Sequence, residues 1–403
     1  VTSLTPSKLD RRGLLKASAG LGVAGISALA LDGCVSVAGQ SLSLTGNPPT
    51  LPPVRAETDR LFDITVCIRP FRAAGPRIEA EQMGDTLIVH NYGHGGSGWS
   101  LSWGSGTLAV AMAMAKSPSE VAVLGCGALG LTAAILAQRA GAKVTIYARD
   151  LLPQTRSSRA TGSWTPDSRI ALANVATPGF GDLWEGMART SFKTYRQYLG
   201  LPGTPVEWRD HYFISGGAAE RAKLRERAPG SLDFAEYGRR IADLVPRNEV
   251  LKPEASPFTA PYVEKSSALQ FNIADYGHTL LTDFLLAGGR IERREFHAPS
   301  ELGALKEKVV INCPGYAARD LWKDESVVPV RGQIGWLIPQ AELTYGAAYK
   351  GVNMLSRRDG IVIQSFEGGD MRGYGDDHEV PDRAESEHAV GVIAELYKTY
   401  GRA

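Results

Sequence analysis

Short apolar runs alternate with helical patterns in the middle of this chain. Residues 121–124 are wholly apolar, as in a strand buried on both faces. Residues 131–140 are apolar at helical spacing and stop at Gly141, and 143–147 form a second strand-like run. The order strand, turn, helix, strand predicts a parallel βαβ unit. Upstream, residues 99–115 predict an apolar helix, joined to the first of these strands by "KSPSE" at 116–120. Downstream, Trp184, Met187, Ala188, Tyr195 and Tyr198 recur at helical spacing over 182–199, which predicts a helix facing the core. Residues 216–227 read as a solvated helix and 291–296 as a strand with a charged face. The last helix, over 384–397, pairs acidic with basic residues.

The first forty residues follow another pattern. Arg11 and Arg12 precede a weakly apolar, Ala/Gly-rich run over 17–31, too short for a transmembrane span of about 20 apolar residues. An arginine pair before such a run resembles a twin-arginine export signal, implying a periplasmic or membrane-anchored protein. Two endings fit: "LDGC", which would leave a lipid anchor at Cys34, or the small-residue site "SVA" at 36–38. Residues 40–57, with four prolines, then read as an extended tether.

With 403 residues, 43% of them hydrophobic, the chain can bury a large core in one large domain or two interlocked ones. A net charge of +1 with no basic block gives no reason to expect nucleic acid as a partner. The four cysteines are widely spaced and form no CxxC pair, so neither a disulfide framework nor a zinc site is read.

Chemistry enters with the glycines. Gly125, Gly127 and Gly130 stand at GxGxxG spacing between the first strand and the helix. The first allows the tight turn, the second a close backbone approach to a pyrophosphate, and the third close packing of helix on strand. The helix then presents free N–H groups and the positive end of its dipole. This context predicts a dinucleotide cofactor. The acidic residue expected to hold the ribose is replaced by Arg149, with Asp150 next to it. A second glycine-rich stretch, "HNYGHGGSGWSLSWG" at 90–104, precedes the fingerprint. His90 and His94 lie four apart within it, but no third ligand is near and glycines interrupt any helix, so no metal is expected.

The residues after the second strand carry a resemblance. "ARDLLPQTRSSRATGSWTP" (148–166) resembles the flavin-binding loop of the D-amino-acid oxidase family, particularly its fungal members. "VVINCPG" (309–315) is similar to the family's second cofactor strand, and "VPVRGQI" (328–334) to the strand leading into its substrate domain. "IRPFRAAGPRIEAEQ" (68–82) resembles the segment bearing the substrate-binding arginine, and "VHNYGHGGSGWSLSWG" (89–104) the closing flavin-contact motif. In the usual family order the last two segments end the chain, whereas here they precede the fingerprint, so the chain resembles a circular permutation. That order places the chain end near residues 57–63.

The resemblance implies FAD, with contacts from Gly125, Gly127, Ala128, Leu129 and Gly130 of the fingerprint and from Arg149 and Asp150. It implies further contacts from Thr155, Ser157, Gly162 and Ser163, and from Gly95, Ser97, Gly98, Trp99 and Ser100. Backbone N–H groups of residues 95–98 would face the flavin ring. Arg72 is implied as the clamp on the substrate carboxylate, since a guanidinium binds a carboxylate with two parallel hydrogen bonds. Gly96 is implied as the carbonyl that meets the substrate amine. Trp164 reads equally as packing or cofactor contact, and Cys126 as a small buried hydrophobe. The family's pocket tyrosines are missing. Asn353 stands about where the first belongs, a glycine near 368 stands for the second, and Tyr345 and Tyr349 lie upstream as candidates to replace them.

The expected fold is α/β: a Rossmann-like FAD-binding domain (86–170 and 275–327) and an α+β substrate domain with a mostly antiparallel sheet (59–85, 171–274 and 328–403). An export signal (1–38) and a linker (39–58) precede them. The expected activity is oxidation of an amino acid, a D-amino acid or related amine alpha to a carboxylate, by hydride transfer to flavin, with oxygen as acceptor. A flavin dehydrogenase with another acceptor and a non-catalytic exported flavin-binding protein are the alternatives.

Overall fold

The computed structural model describes residues 48–225 and 230–402. The expected export signal, with Arg11, Arg12 and Cys34, lies outside them, as does Ala403. In chain order the strands are β1 (Leu61–Arg72), β2 (Arg77–Met83), β3 (Thr86–Tyr92), β4 (Glu120–Leu124), β5 (Lys143–Ala148), β6 (Val206–Ser215) and β7 (Glu249–Val250). There follow β8 (Tyr262–Phe271), β9 (Arg290–Arg293), β10 (Val309–Asn312), β11 (Val327–Leu337), β12 (Tyr345–Tyr349), β13 (Val352–Arg357) and β14 (Gly360–Ser365). The helices are α1 (Gly98–Ala113), α2 (Ala128–Arg139), α3 (Phe180–Tyr195), α4 (Ala218–Arg225), α5 (Ile273–Leu286), the single turns α6 (Ser300–Gly303) and α7 (Ala318–Leu321), and α8 (Arg383–Tyr400). No described helix is long and apolar enough to cross a membrane.

Six strands form a sheet in the order β2-β3-β10-β4-β5-β9, parallel except for the edge strand β2. Alternation along each strand serves both faces. Val89, Val121, Val123, Val144, Ile146 and Ile311 meet the buried sides of α1, α2, α3 and α5. Their neighbours Ile88, Ala122, Leu124, Tyr147 and Val310 meet Phe296, Leu302 and Leu305. The expected domain boundary at residue 85 falls inside the hairpin of β2 and β3, which pair from Arg77↔Tyr92 to Met83↔Thr86. β2 therefore belongs with the six-stranded sheet.

The other sheet has eight strands, β1-β11-β14-β13-β12-β6-β8-β7, antiparallel except for β12 beside β6. α8 covers one face, burying Val390, Ile393 and Leu396 against Leu337, Ile361 and Ile363. Asp382 caps this helix by accepting from Glu385 N at 3.1 Å. Val54 and Ala56 are buried in the same cluster, and Arg55 N donates to Gln340 Oε1 at 2.7 Å. The expected tether is thus a packed segment over its described part, because two apolar side chains leave water there.

Candidate functional site

A cavity of about 390 Å³ lies at the carboxyl ends of β4, β5 and β10, bounded by β1, the start of α1 and the loop 151–170. Open parallel sheets bind ligands at this edge. Gly95, Gly96, Gly98, Trp99, Ser100, Gly125, Gly127, Ala128, Leu129, Arg149, Asp150, Thr155, Ser157, Gly162 and Ser163 all line it. Ser97, Gly130 and Arg72 do not.

The fingerprint builds the floor. Gly125 has φ +98°, a conformation that costs an L side chain about 1–3 kcal/mol, and a Cβ there would lie 2.4 Å from the Cys313 carbonyl oxygen. Gly130 acts from behind: its Cβ would lie 2.0 Å from the Gly125 carbonyl oxygen, so only glycine lets α2 start this close to β4. α2 has no side-chain cap, and only Ala128 N is met by a side chain, Ser157 Oγ at 3.1 Å. A bare backbone turn under an uncapped helix start suits a pyrophosphate. The guanidiniums of Arg69, Arg149, Arg156, Arg159, Arg169 and Arg294 line the cavity against two carboxylates, Asp150 and Glu295. Arg156 and Arg159 are paired with Glu379, and Arg169 with the exposed Asp370, so among the described residues Arg69 and Arg294 are the cavity guanidiniums with no ion pair, and that excess fits an anionic ligand.

The end of α1 differs from expectation. The amides of Gly95, Gly96 and Ser97 are occupied, donating to the carbonyls of Pro70 (2.8 Å), Ser168 (2.9 Å) and His94 (2.9 Å). The open donors are one turn further on, at Gly98, Trp99 and Ser100, because Leu101 makes the first helical bond, to Ser97. Ser97 faces away, its hydroxyl donating to Thr165 O and Ser168 O. Trp99 Nε1 donates to Ser157 O at 2.8 Å, so α1 and the loop hold each other.

At the end of β5, Arg149 binds Asp150 (2.8 Å) and Glu295 (3.2 Å), so both cavity carboxylates answer one guanidinium. Burial pushes the Cys126 thiol up to about 11, as for an inert hydrophobe. Trp164 is buried against Phe192 and does not line the cavity. Both ring nitrogens of His90 are taken, by Glu81 Oε2 (3.0 Å) and Asn312 Nδ2 (2.9 Å). His94 lines the cavity without a partner for either nitrogen, and burial holds it down to about 3.

Arg72 is corrected by its contacts. Nε donates to Ser326 Oγ (2.9 Å), Nη1 to Gly75 O (3.1 Å), and Asp324 lies 3.5 Å away. Its charge is answered outside the cavity. Arg69 stands inside it, donating to Arg331 O at 3.2 Å and forming no ion pair among the described residues. Three positions along a strand reverse the face, so only one of the two arginines reaches the cavity. Tyr345 and Tyr349 are also excluded. They lie buried toward α8, and Tyr345 Oη binds Pro52 O (2.6 Å) and Tyr397 Oη (2.7 Å). Asn353 does line the cavity, held by His211 Nε2 at 2.6 Å. Arg72 was the arginine singled out from the sequence, so both Arg69 and Arg169 were missed, and nothing in local spacing marks Arg169.

A sequence model of the family of FAD dependent oxidoreductases (DAO) matches residues 120–402. The D-amino-acid oxidase of Rubrobacter xylanophilus is 32% identical over 219 residues, 54% of this chain and 58% of that one. The D-amino-acid oxidase of Streptomyces coelicolor is 29% identical over 221 residues, 53% of this chain and 58% of that one. The chain thus spans little more than half the length of the curated relatives it matches. Among solved structures, glycine oxidase from Geobacillus kaustophilus is 14% identical with a TM-score of 0.46, covering 70% of this chain and 80% of that one.

Proposed function

Because the chain belongs to the family of FAD dependent oxidoreductases, we propose that it oxidises an amine alpha to a carboxylate, a D-amino acid or close relative, with oxygen as the final acceptor. The observation that carries this reading is Arg69, a guanidinium with no ion-pair partner among the described residues, in the same cavity as the open starts of α1 and α2. Bound FAD supplies the acceptor for the hydride that leaves the substrate Cα. Arg69 fixes the carboxylate and so the Cα, which is most of what positioning requires. The Gly96 carbonyl accepts a hydrogen bond from the amine and so orients the nitrogen. The unpaired amides at Gly98, Trp99 and Ser100 lower the energy of negative charge beside them. The amine loses one proton to solvent as the Cα–N bond becomes an imine, which water hydrolyses to a keto acid and ammonia.

A permuted chain order goes with this reading. In its support, the family match begins at Glu120, while the arginine and glycine-rich segments precede that point. α1 carries the chain from β3 over β10 to β4, and Tyr397 near the other end lies one hydroxyl from Pro52. Anaerobic addition of D-amino acids, neutral and acidic, to the FAD-loaded protein is the test. Bleaching of the flavin band is expected, with half-saturation shifted to far higher concentration in Arg69→Ala. Bleaching by no amine alpha to a carboxylate sinks the activity; an unshifted Arg69→Ala sinks the clamp.

A further inference from the structure

Arg169 is 4% exposed and has φ +50°, a left-handed conformation that a branched-free but bulky side chain adopts only when its surroundings impose it. The neighbouring Ser168 carbonyl accepts from Gly96 N at 2.9 Å, which ties this segment to the start of α1. The guanidinium donates to the carbonyls of Asp370 (2.8 Å) and Gly369 (3.3 Å). Its ion-pair partner is the Asp370 carboxylate at 3.3 Å, whose side chain is 63% exposed and therefore strongly screened. Burial, and then repulsion from Arg69, lower its pKa to about 10, with Asp370 acting the other way.

Arg69 and Arg169 line the main cavity and also an adjoining chamber of about 230 Å³. Gly332 makes the room, since a Cβ there would lie 2.3 Å from the Arg69 guanidinium nitrogens. The chamber wall is polar, with Gln333, Gln364 and Ser365, and its carboxylates are Glu385 and Asp376, the latter held by His378 at 2.8 Å. Its other two arginines are already answered: Arg331 and Arg372 share Glu385 at 3.6 and 2.9 Å. Among the described residues, Arg69 and Arg169 are thus the two guanidiniums of this chamber with no ion pair to a buried carboxylate. Two like charges side by side in a partly dry space are unfavourable until an anion joins them. A neutral-side-chain amino acid brings one carboxylate and answers only one of them.

We propose that the substrate carries two carboxylates, one held by Arg69 beside the reacting carbon and the other by Arg169. This rests on the amine-oxidase reading above. The second carboxylate has two chemical sources: a side chain, as in D-aspartate or D-glutamate, or a second arm on the nitrogen, as in iminodiacetate.

The FAD-loaded enzyme is reduced anaerobically with D-aspartate, D-glutamate, iminodiacetate, D-alanine and D-norvaline, and its flavin spectrum is titrated with malonate and with acetate. The expected result is a kcat/KM for one dicarboxylate class at least about 100-fold above that for D-alanine and D-norvaline, the scale of one buried charge pair. The class that wins identifies the source. Arg169→Gln abolishes this preference, lowering kcat/KM for the dicarboxylate far more than for D-alanine, and weakens malonate by the same factor, while Arg169→Lys keeps part of both. Should Arg169→Gln fail to hold FAD, the wild-type preference and Arg169→Lys decide. Preference for neutral substrates, or an equal loss for both classes in Arg169→Gln, overturns the proposal while leaving the oxidase reading intact. Malonate binding that depends on Arg169, with no amine bleaching the flavin, keeps the dianion site and overturns the oxidase reading. Failure of every dicarboxylate to bind overturns the proposal.

Discussion

Replacing Gly130 by alanine tests how the fingerprint works. A Cβ at this position would stand 2.0 Å from the Gly125 carbonyl oxygen, and ordinary contact begins at 3.4 Å, so α2 must retreat by about 1.4 Å (3.4 minus 2.0). The obstacle is backbone, and the first turns of α2 are buried on every side, so neither partner yields cheaply. Overpacking of this kind costs about 1–3 kcal/mol, offset by the ~1 kcal/mol that alanine gains over glycine in a helix. The retreat also moves α2's amides from the cradle that Gly125 and Gly127 form. Losing one hydrogen bond to a charged group, about 1.5–3 kcal/mol, weakens FAD by roughly tenfold to a hundredfold. Thermal unfolding of the apoprotein and quenching of flavin fluorescence on titration measure the two effects. Gly186→Ala is the control. It is exposed on α3 with nothing within 4 Å of its Cβ, so about 0.5–1 kcal/mol of stabilisation and unchanged FAD affinity are expected. If Gly130→Ala matches the wild type in both measurements, the close approach of α2 is not what holds the cofactor.

Further expectations follow from the corrected site. Arg69→Ala should raise the half-saturating concentration of a carboxylate substrate by about 100-fold, whereas Arg72→Ala should leave it unchanged and lower thermal stability; the reverse pattern in flavin-reduction kinetics would restore Arg72 as the clamp. His94 is held down to about 3 by burial, so between that value and about 6.5 the unfolded chain binds a proton that the folded chain does not. Apoprotein stability should fall as pH drops through this window, by up to about 1.4 kcal/mol per unit, and His94→Asn should flatten the fall in urea midpoints measured from pH 7 to 4.5. An identical slope in the variant contradicts the assignment. Tyr345→Phe should lose about 1–2 kcal/mol through its bonds to Pro52 and Tyr397 without changing kcat/KM, since calorimetry and kinetics report opposite faces of the sheet.

The strand, glycine turn and helix at 120–139 were legible because each depends on neighbours in sequence: a run of buried apolar residues, a turn that needs positive φ, and a helical period. The glycine-rich stretch at 93–98 was legible as a site for the same reason, although which of its amides stay free depended on three carbonyls, two of them from Pro70 and Ser168 in other segments. The tether was misread because proline content says nothing about what Val54 and Ala56 find beside them, which is α8 from the far end of the chain.

By itself the sequence determined the family, the cofactor and the glycine turn beneath it, all carried by local motifs. Only the tertiary structure decided which arginine of β1 reaches the cavity. Arg69 and Arg72 have the same chemistry, and strand alternation makes them alternatives without ranking them. What ranks them is the position of Asp324 and Ser326, more than two hundred residues away, which answer one charge and leave the other facing the cavity. Arg169 shows the same limit: its isolation from buried carboxylates is a property of the assembled chamber, and no residue near it in sequence records it.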